Sequence, residues 1–418
     1  MRTFKLAYGD NYKTIHLRES IHPDVIAPQE PPGSQNPLQE VVNALQNPLG
    51  GIELTHFRQA KSVAIAINDK TRPVPHEILL PPLLNRLLEI GFSPASISLI
   101  IASGTHVPMQ PAEYPKILPL EIINRFPIYS HDCDDQNLVD IGISSRGTPI
   151  LINKLFMQAE LRIVVGNIEP HHFMGFSGGV KTASIGLAGR RTINQNHALL
   201  PHPKAKTGHY LDNPMRMEVE EIGQRMGVQF ALNAILNDRK EIINVLFGDP
   251  TLVMENGIPL VKSLCQVPVK GTYDLVIASA GGYPKDINLY QSQKALTHAS
   301  LITKDGGTVI LLAACSEGIG SKGYEKFMDG VTSFQEVFRK FNDQGFEVGP
   351  HKAFLVARDA SRLNIQLLSI MDPDLVREFL LSPIVDLKMK LSKAISELPP
   401  SGRVAIMPNA TITIPVIE

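Results

Sequence analysis

The sequence predicts an α/β protein of two domains, each built on a mainly parallel sheet that helices cover. The chain has 418 residues, well beyond the ~250–300 residues at which a single hydrophobic core usually stops growing. Short apolar runs rich in β-branched residues recur along it, with helical stretches between them. Such runs are typical of parallel strands buried on both faces. The runs are VAIAI (63–67), ISLIIA (97–102), LRIVVG (161–166), DLVIASA (274–280), TVILLAA (308–314) and RVAIMP (403–408).

The segments between these runs predict connectors and helices. IAPQEPPGSQNPLQE (26–40) is polar and rich in proline, which predicts a surface connector before the first strand. HEILLPPLLNRLLEIGF (76–92) has leucines near helical spacing and a glycine stop signal. Pro81 and Pro82 are expected to break the start of this helix, because proline lacks the N–H that the helix needs.

The domain boundary is expected near CQVPVKGTYD (265–274), where the strand pattern restarts after a long helical region. We therefore predict an N-terminal α/β domain over residues 1–265 and a C-terminal α/β domain over residues 266–418. The last segment of the chain could pack back on the first domain.

The composition is that of an ordinary globular protein. Hydrophobic residues make up 43% and charged residues 19%, and the formal net charge is -1, so nothing predicts binding to nucleic acid or to an anionic membrane. Cys133, Cys265 and Cys315 lie far apart without CxxC spacing, which predicts buried thiols and no disulfide framework. No leader-like segment and no run near the ~18 apolar residues of a membrane span is present, so we expect a cytoplasmic protein.

Polar stretches follow four of the predicted strands. In open α/β sheets, ligands bind beyond the carboxyl ends of the strands. Any one stretch could be a capped turn or a surface ion pair, whereas their coincidence at four strand ends predicts a pocket. The stretches are NDKTRP (68–73), with Asp69, Thr71 and Arg72; SGTH (103–106), with His106; NIEPHHFMGFSGGVK (167–181); and GGYPKDINLYQSQK (281–294).

The stretch GFSGGVKT (175–182) is similar to a nucleotide-binding loop but departs from it at one position. The pattern G-x-x-x-x-G-K-[ST] needs glycine where Val180 stands, which disfavours a nucleotide triphosphatase. The glycines still allow backbone N–H groups to converge on an anion such as a single phosphate. The alternative is a tight turn that leads into a helix.

Histidines are dense in the same region, and one lysine stands beside them. Imidazole suits zinc, copper, iron and nickel, but HExxH spacing and nearby cysteines are absent, so a zinc cage made by protein alone is poorly supported. A partly desolvated Lys181 could act as a nucleophile or anchor a cofactor covalently, and the alternative is a solvated lysine at a helix start. The histidines are His171, His172, His197, His202 and His209.

Taken together, these motifs resemble the nickel-pincer lactate racemase family. Six motifs occur in the family's order across this chain with no large insertion, and six in order are far more specific than any one. They are NDKTRP (68–73), SGTH (103–106), GNIEPHHFMGFSGGVK (166–181), NH (196–197), GDP (248–250) and GGYPKDINLYQSQKAL (281–296).

The resemblance implies a two-domain α/β fold with the active site in the interdomain cleft. It also implies a nickel-pincer nucleotide, a nicotinic acid mononucleotide derivative with thio-acid groups, attached covalently to Lys181. In that reading His197 is the protein's ligand to nickel. The cofactor wall would include Asp69, Thr71, Arg72, Phe176, Ser177, Gly178 and Gly179.

The implied activity is the racemisation or epimerisation of a 2-hydroxy acid such as lactate, by reversible hydride transfer to the cofactor. His106 and His171 match the catalytic acid–base pair, and the ten-residue spacing to Lys181 selects His171 over His172. Neutral imidazole suits the exchange of the hydroxyl proton because its pKa lies near working pH. The substrate's carboxylate and hydroxyl would contact Arg72, Tyr290, Gln291 and Lys294.

The implied partners are a small 2-hydroxy acid and the enzymes that synthesise the cofactor. Two alternatives remain at this stage. The first is a non-catalytic binding protein for a phosphorylated or carboxylated ligand, with GFSGG and Arg72 as an anion cradle. The second is a zinc-dependent hydrolase that uses the histidines between residues 171 and 209, although it leaves Lys181 without a role.

Overall fold

The computed structural model describes residues Met1 to Glu418 and divides into two compact units. Glu30–Leu264 form one unit, here called the middle unit. Met1–Gln29 and Cys265–Glu418 together form the other, here called the flanking unit. The predicted fold class is confirmed, because each unit is a mixed α/β structure with a mainly parallel sheet.

The first 29 residues form a hairpin and one short strand. The strands are β1 (Arg2–Tyr8), β2 (Asn11–Leu17) and β3 (Asp24–Val25). β1 and β2 pair antiparallel around Gly9, whose φ is +56°.

The middle unit alternates strands and helices. Its strands are β4 (Val63–Asn68), β5 (Ile97–Ala102), β6 (Ile128–Ser130), β7 (Val139–Ile143), β8 (Pro149–Ile152), β9 (Leu161–Asn167), β10 (Pro170–His171), β11 (Gly175–Phe176), β12 (Phe230–Leu236) and β13 (Ile242–Gly248). Its helices are α1 (Pro37–Gln46), α2 (His76–Ile90), α3 (Leu120–Arg125), α4 (Lys154–Gln158), α5 (Lys181–Ser184), α6 (Arg190–His197), α7 (Pro214–Arg225) and α8 (Pro250–Cys265), with short 3₁₀ turns at Leu54–Phe57, Pro94–Ser96 and Pro111–Lys116.

The main sheet of the middle unit has six strands in the order β13-β12-β9-β4-β5-β6. All neighbours are parallel except β12 and β13, which form an antiparallel edge pair. The three runs predicted here as strands are β4, β5 and β9, and all three lie at the centre of the sheet. Their aliphatic residues are almost fully buried, as expected for strands covered on both faces.

Helix α2 corrects one expectation. It runs without a break from His76 to Ile90, with Pro81 and Pro82 inside it, and ends at Gly91 in the left-handed conformation. An interior proline costs ~3 kcal/mol, but each fully buried leucine contributes roughly 1.5–3 kcal/mol. Leucines on both sides of the prolines are buried in the core, and their burial outweighs the lost hydrogen bonds. They are Leu79, Leu80, Leu83, Leu84 and Leu87.

The flanking unit continues the same pattern. Its further strands are β14 (Gln266–Val269), β15 (Tyr273–Ser279), β16 (Thr303–Leu312), β17 (Asn364–Leu368), β18 (Ser382–Pro383), β19 (Val404–Met407) and β20 (Ile414–Ile417). Its helices are α9 (Leu289–Ser300), α10 (Lys322–Met328), α11 (Phe334–Gln344), α12 (Pro350–Ala360), α13 (Pro373–Glu378) and α14 (Leu387–Ser396). Its sheet has the order β18-β17-β16-β15-β19-β3, and every pair in it is parallel.

The N-terminal end of the chain differs from the predicted domain boundaries. Residues 1–29 belong to the flanking unit, whereas the strand pattern predicts that they are part of a domain spanning 1–265. The reason is that β3 pairs with β19, and the buried face of the hairpin, including Leu6 and Ile15, packs into the core that contains Ile277 and Ile406. The C-terminal strand β20 pairs with β14 of the same unit.

Two further expectations concern the cysteines and membrane spans. Cys133, Cys265 and Cys315 are free thiols and all three are buried, as the sequence predicted. None of the helices is both long enough and apolar enough to cross a bilayer.

Candidate active site

The strand order of the middle unit brings three of the polar strand ends together. β4 lies between β5 and β9, and all three run in the same direction. Asp69 follows β4 directly, His106 lies four residues after β5, and β9 leads into the short hairpin that carries His171. Three separate stretches of sequence therefore place side chains at the same edge of the sheet.

Asp69 and His106 form a hydrogen-bonded pair. His106 Nδ1 lies 2.8 Å from Asp69 Oδ2, and the Thr71 hydroxyl donates to Asp69 Oδ1 at 2.6 Å. The carboxylate is buried, whereas the His106 side chain is 44% exposed. Burial raises the pKa of Asp69, but the hydrogen bonds from His106 and Thr71 and the charge on His106 outweigh it, and the pKa is lowered. The ionised carboxylate holds the Nδ1 proton of His106 and leaves Nε2 as the proton acceptor.

His171 and His197 are linked by one aromatic ring. Phe173 meets His171 edge-on, with ring centroids 4.5 Å apart, and meets His197 in the same manner at 5.3 Å. His172 stacks on His171 at 4.8 Å. Met174 N–H donates to Nδ1 of His171 at 3.3 Å, so the neutral His171 ring carries its proton on Nε2. His106 and His171 thus have opposite tautomers, one with an accepting and one with a donating Nε2.

His197 has the properties of a neutral imidazole ligand. It lies in the last turn of α6, where its Nδ1 donates to the carbonyl of Ile193 at 2.9 Å. That bond places the lone pair on Nε2, the usual arrangement of a histidine that binds metal. Burial and the charge of Lys181 lower the pKa of His197 to about 3, so the ring is neutral at pH 7.

Lys181 begins α5, directly after the glycine-rich turn. Only part of its side chain is exposed to solvent. Burial of the amine, together with the charges of Arg72 and Arg216, lowers the pKa of Lys181 to about 7. A large fraction of the amine is therefore unprotonated at neutral pH. An unprotonated lysine is a nucleophile, whereas an ordinary surface lysine is not.

The turn before Lys181 is fixed by two buried side chains from elements distant in sequence. The guanidinium of Arg216 donates to the carbonyls of Phe176 and Gly178, both at 3.0 Å. Asn233 Oδ1 accepts the N–H of Gly179 at 2.6 Å. Arg216 comes from α7 and Asn233 from β12, and no motif marks either residue.

Gly178 and Gly179 are required by this arrangement. Both have positive φ, +92° and +57°, which disfavours any other residue. A Cβ at Gly178 would lie 2.8 Å from Ile168, and one at Gly179 would lie 2.6 Å from Met254. The turn is therefore tightly packed as well as conformationally restricted.

Three N–H groups of the turn are bonded within the chain, so these three do not face an anion. The N–H groups of Phe176 and Ser177 donate to Met174 and Glu169 carbonyls, and that of Gly179 donates to Asn233. By contrast, the buried hydroxyl of Ser177 has no hydrogen-bond partner within the chain. An orphaned buried hydroxyl is unusual, and it makes Ser177 the group in the turn suited to bind a polar ligand.

In the flanking unit, α9 presents the other predicted site residues. The helix begins after Asn288, whose side chain accepts the N–H of Gln291 at 3.0 Å. Most of α9 is buried, but Tyr290, Gln291 and Lys294 are only half-buried. They occupy the first two turns, and the amine of Lys352 lies 4.9 Å from the centroid of the Tyr290 ring.

The remaining histidines do not assemble with these groups. His202 is exposed. The ring of His209 lies 3.1 Å from Asp212 Oδ2 and its side chain is 42% exposed. One group of potential metal ligands lies close together but outside the histidine-rich stretch. It consists of Asp132, Cys133 and Asp134.

The fold and these side chains define an α/β protein with a histidine–carboxylate pair, a second histidine of opposite tautomer and a weakly basic lysine, a set typical of enzymes that move protons. The N-terminal domain model of lactate racemase matches residues 8–208, and its C-terminal domain model matches residues 269–415. The chain therefore belongs to the lactate racemase family.

Individual relatives agree with the family models. The lactate racemase of Lactiplantibacillus plantarum is 31% identical over 379 residues, 89% of each chain. That of Thermoanaerobacterium thermosaccharolyticum is 30% identical over 384 residues, 90% of this chain and 89% of that protein. The solved apoprotein structure of lactate racemase from the latter organism superimposes with a TM-score of 0.91, covering 99% of this chain and all of that one.

A crystal structure of a Thermotoga maritima protein, 17% identical, superimposes with a TM-score of 0.64 and shows a shared fold alone. The family assignment makes the chain an isomerase of the racemase type. A non-catalytic binding protein and a zinc-dependent hydrolase are accordingly set aside.

Proposed function

We propose that the protein interconverts the enantiomers of lactate or of a closely related 2-hydroxy acid, with a nickel-pincer nucleotide bound covalently to Lys181. Both named relatives are lactate racemases. The observation that carries the proposal is that Lys181, whose pKa is about 7, lies close enough to the buried ring of His197 for its charge to help lower the pKa of that ring. An acylable amine next to a metal-ligating imidazole is what a tethered metal cofactor requires.

The residues present fit this cofactor. The Lys181 amine would carry the covalent link, Nε2 of His197 would bind the nickel, and the unpartnered hydroxyl of Ser177 would bind a polar group of the nucleotide. Phe176, Gly178 and Gly179 would form the wall behind it, held by Arg216. When bound, the cofactor supplies a reversible hydride acceptor, a role that no amino-acid side chain can fill.

The two histidines of opposite tautomer would handle the hydroxyl proton. Nε2 of His106 can accept the proton of one enantiomer, because its Nδ1 proton is held by Asp69. From its protonated form, His171 could donate the Nε2 proton to the alkoxide of the other enantiomer, which leaves His171 as a neutral ring. In the reverse direction the two rings exchange roles.

Asp69 and Thr71 act in this proposal through His106, because Asp69 bonds to the His106 ring and Thr71 bonds to Asp69. The substrate's carboxylate would be bound by cations and polar groups from the first turns of α9, together with Arg72. These residues are Arg72, Tyr290, Gln291 and Lys294. The other proposed partners are the enzymes that build and attach the cofactor.

The decisive experiment is mass analysis of protein co-expressed with the cofactor-synthesis enzymes. We expect an adduct that maps to the peptide containing Lys181, stoichiometric nickel, and racemisation of both d- and l-lactate. The Lys181→Arg variant keeps a cation but should carry no adduct and show no activity. Full activity with an unmodified Lys181 would refute the proposal.

A further inference from the structure

In the flanking unit, Lys352 is buried next to the proposed carboxylate-binding residues of α9, which include Lys294. It lies in the first turn of α12 and is 1% exposed, which makes it one of the largest fully buried side chains in the protein. Lysine is almost never fully buried unless it is paired. No motif in the sequence pointed to this residue.

The amine of Lys352 ends a buried polar network between α12 and α9. Lys352 Nζ donates to Gln293 Oε1 at 2.8 Å, and Gln293 Nε2 donates to the Thr297 hydroxyl at 2.6 Å. Thr297 in turn donates to Asp359 Oδ2 at 3.0 Å. The nearest carboxylate in the network is therefore separated from the amine by two neutral side chains.

This arrangement is costly for stability. Burial and the charge of Lys294 lower the pKa of Lys352 well below its usual range. A buried amine without a directly paired carboxylate is commonly less stable than an apolar side chain of the same length. Groups kept at such a cost are typical of functional sites.

The position of the amine indicates what that function is. Nζ lies 4.9 Å from the centroid of the Tyr290 ring, on one side of α9. The His351 ring meets Tyr290 edge-on, with centroids 5.9 Å apart. Gln293, the acceptor for Lys352, stands between Tyr290 and Lys294 on the same helix. In either protonation state, one N–H bond of the amine can reach Gln293 and another can face the ring.

We propose that Lys352 is a positioning residue for substrate binding: its N–H bonds to Gln293 and toward the Tyr290 ring hold that ring in place near Lys294, so that α9 is preorganised for a carboxylate. Preorganised groups bind more tightly because the ordering entropy is lost before the ligand arrives. The inference rests on the proposed function, in which Tyr290 and Lys294 contact the substrate's carboxylate.

The test replaces Lys352 with methionine in the cofactor-loaded enzyme, with l-lactate as the probe. We expect KM to rise about tenfold while kcat changes less than about threefold, since weaker preorganisation of the carboxylate-binding groups acts on substrate binding. The melting temperature should stay the same or rise. A lower melting temperature with unchanged KM would assign Lys352 a purely structural role and overturn the proposal.

The matched control is Lys340→Met. Lys340 also donates to a carbonyl and lies 5.0 Å from an aromatic ring, but the ring is that of Phe327. We expect its KM to match that of the unchanged enzyme. Gln293→Met provides a second variant that removes the acceptor for Lys352, and it should raise KM in the same direction.

A spectroscopic readout separates this inference from the proposed function. With 3-fluorotyrosine incorporated at position 290, the ¹⁹F resonance should shift in the Lys352→Met variant and stay in place in Lys340→Met. This measurement does not depend on enzyme activity, so it tests the positioning role of Lys352 even if lactate is not turned over. An identical resonance in all three proteins would overturn the positioning role.

Discussion

At the residue scale, the pair formed by Asp69 and His106 is the most informative feature of the site. A buried carboxylate fixes one nitrogen of a half-exposed ring, which leaves the other nitrogen available to a ligand. This is the general arrangement by which a histidine base is oriented. Its consequence can be measured because asparagine can replace the carboxylate without changing its size.

We expect Asp69→Asn to reduce kcat by about 10²-fold or more, within the ~10²–10⁴-fold range of general acid–base catalysis. The amide can donate to Nδ1, which favours the tautomer that protonates Nε2 and so removes the proton acceptor. Chiral assay of lactate racemisation measures the effect. His106→Ala should show a similar loss, and both variants should retain the Lys181 adduct; activity near that of the unchanged protein in Asp69→Asn would contradict the assigned role.

At the scale of elements, α7 controls the turn that leads into α5. Arg216 is fully buried and forms an ion pair with Glu220, one turn later on the same helix, while its remaining donors bond to the carbonyls of Phe176 and Gly178. The planar guanidinium reaches three acceptors at once, which the single ammonium of lysine cannot do with the same geometry. The helix therefore sets the position of Lys181 through backbone contacts.

We expect Arg216→Lys to lower the free energy of unfolding by about 1–3 kcal/mol, the usual cost of an unsatisfied buried polar group, and to reduce the fraction of chains with the Lys181 adduct. Chemical denaturation and intact-mass analysis give the two values. Arg225→Lys is the control, because Arg225 on the same helix pairs with Glu221 at the surface and should change neither. An unchanged fraction of chains with the Lys181 adduct in Arg216→Lys would show that the turn holds its position without the guanidinium.

The individual elements also show which structural features the sequence patterns predict and which they do not. Apolar, β-branched runs predicted β4, β5, β9, β15, β16 and β19, because burial on both faces leaves a local signature. The same reasoning failed at Pro81 and Pro82, since local propensity could not weigh the five buried leucines of α2. Arg216 and Asn233 left no signature because their partners are backbone atoms distant in sequence.

At the scale of the whole molecule, each unit contains a buried histidine that opposes folding in acid. Burial lowers the pKa of His76 in the middle unit and of His298 in the flanking unit to about 4. In the unfolded chain each would titrate near 6.5, so between pH 6.5 and 4 the unfolded state binds more protons. These two rings therefore lower the free energy of unfolding only below pH 6.5, and their effect grows as the pH falls towards 4.

We expect the free energy of unfolding to fall across this window by up to about 3 kcal/mol for each histidine, at 1.36 kcal/mol per pKa unit. Denaturant titrations at pH 7, 5.5 and 4 measure the slope. His76→Leu should reduce the pH dependence of the middle unit, while His22→Leu, which changes an exposed ring, should leave it unaltered. An unchanged slope in His76→Leu would show that other groups cause the acid instability.

By itself, the sequence determined the fold class, the central strands and the placement of Asp69, His106, His171 and Lys181 at strand ends and turns, because these depend on local hydrophobic pattern and chain position. The tertiary structure decided the rest. Strand order brought Asp69 against His106, hydrogen bonds set opposite tautomers on His106 and His171, and the core of the flanking unit captured residues 1–29. These outcomes depend on packing between segments far apart in sequence, and such packing leaves no local pattern to read.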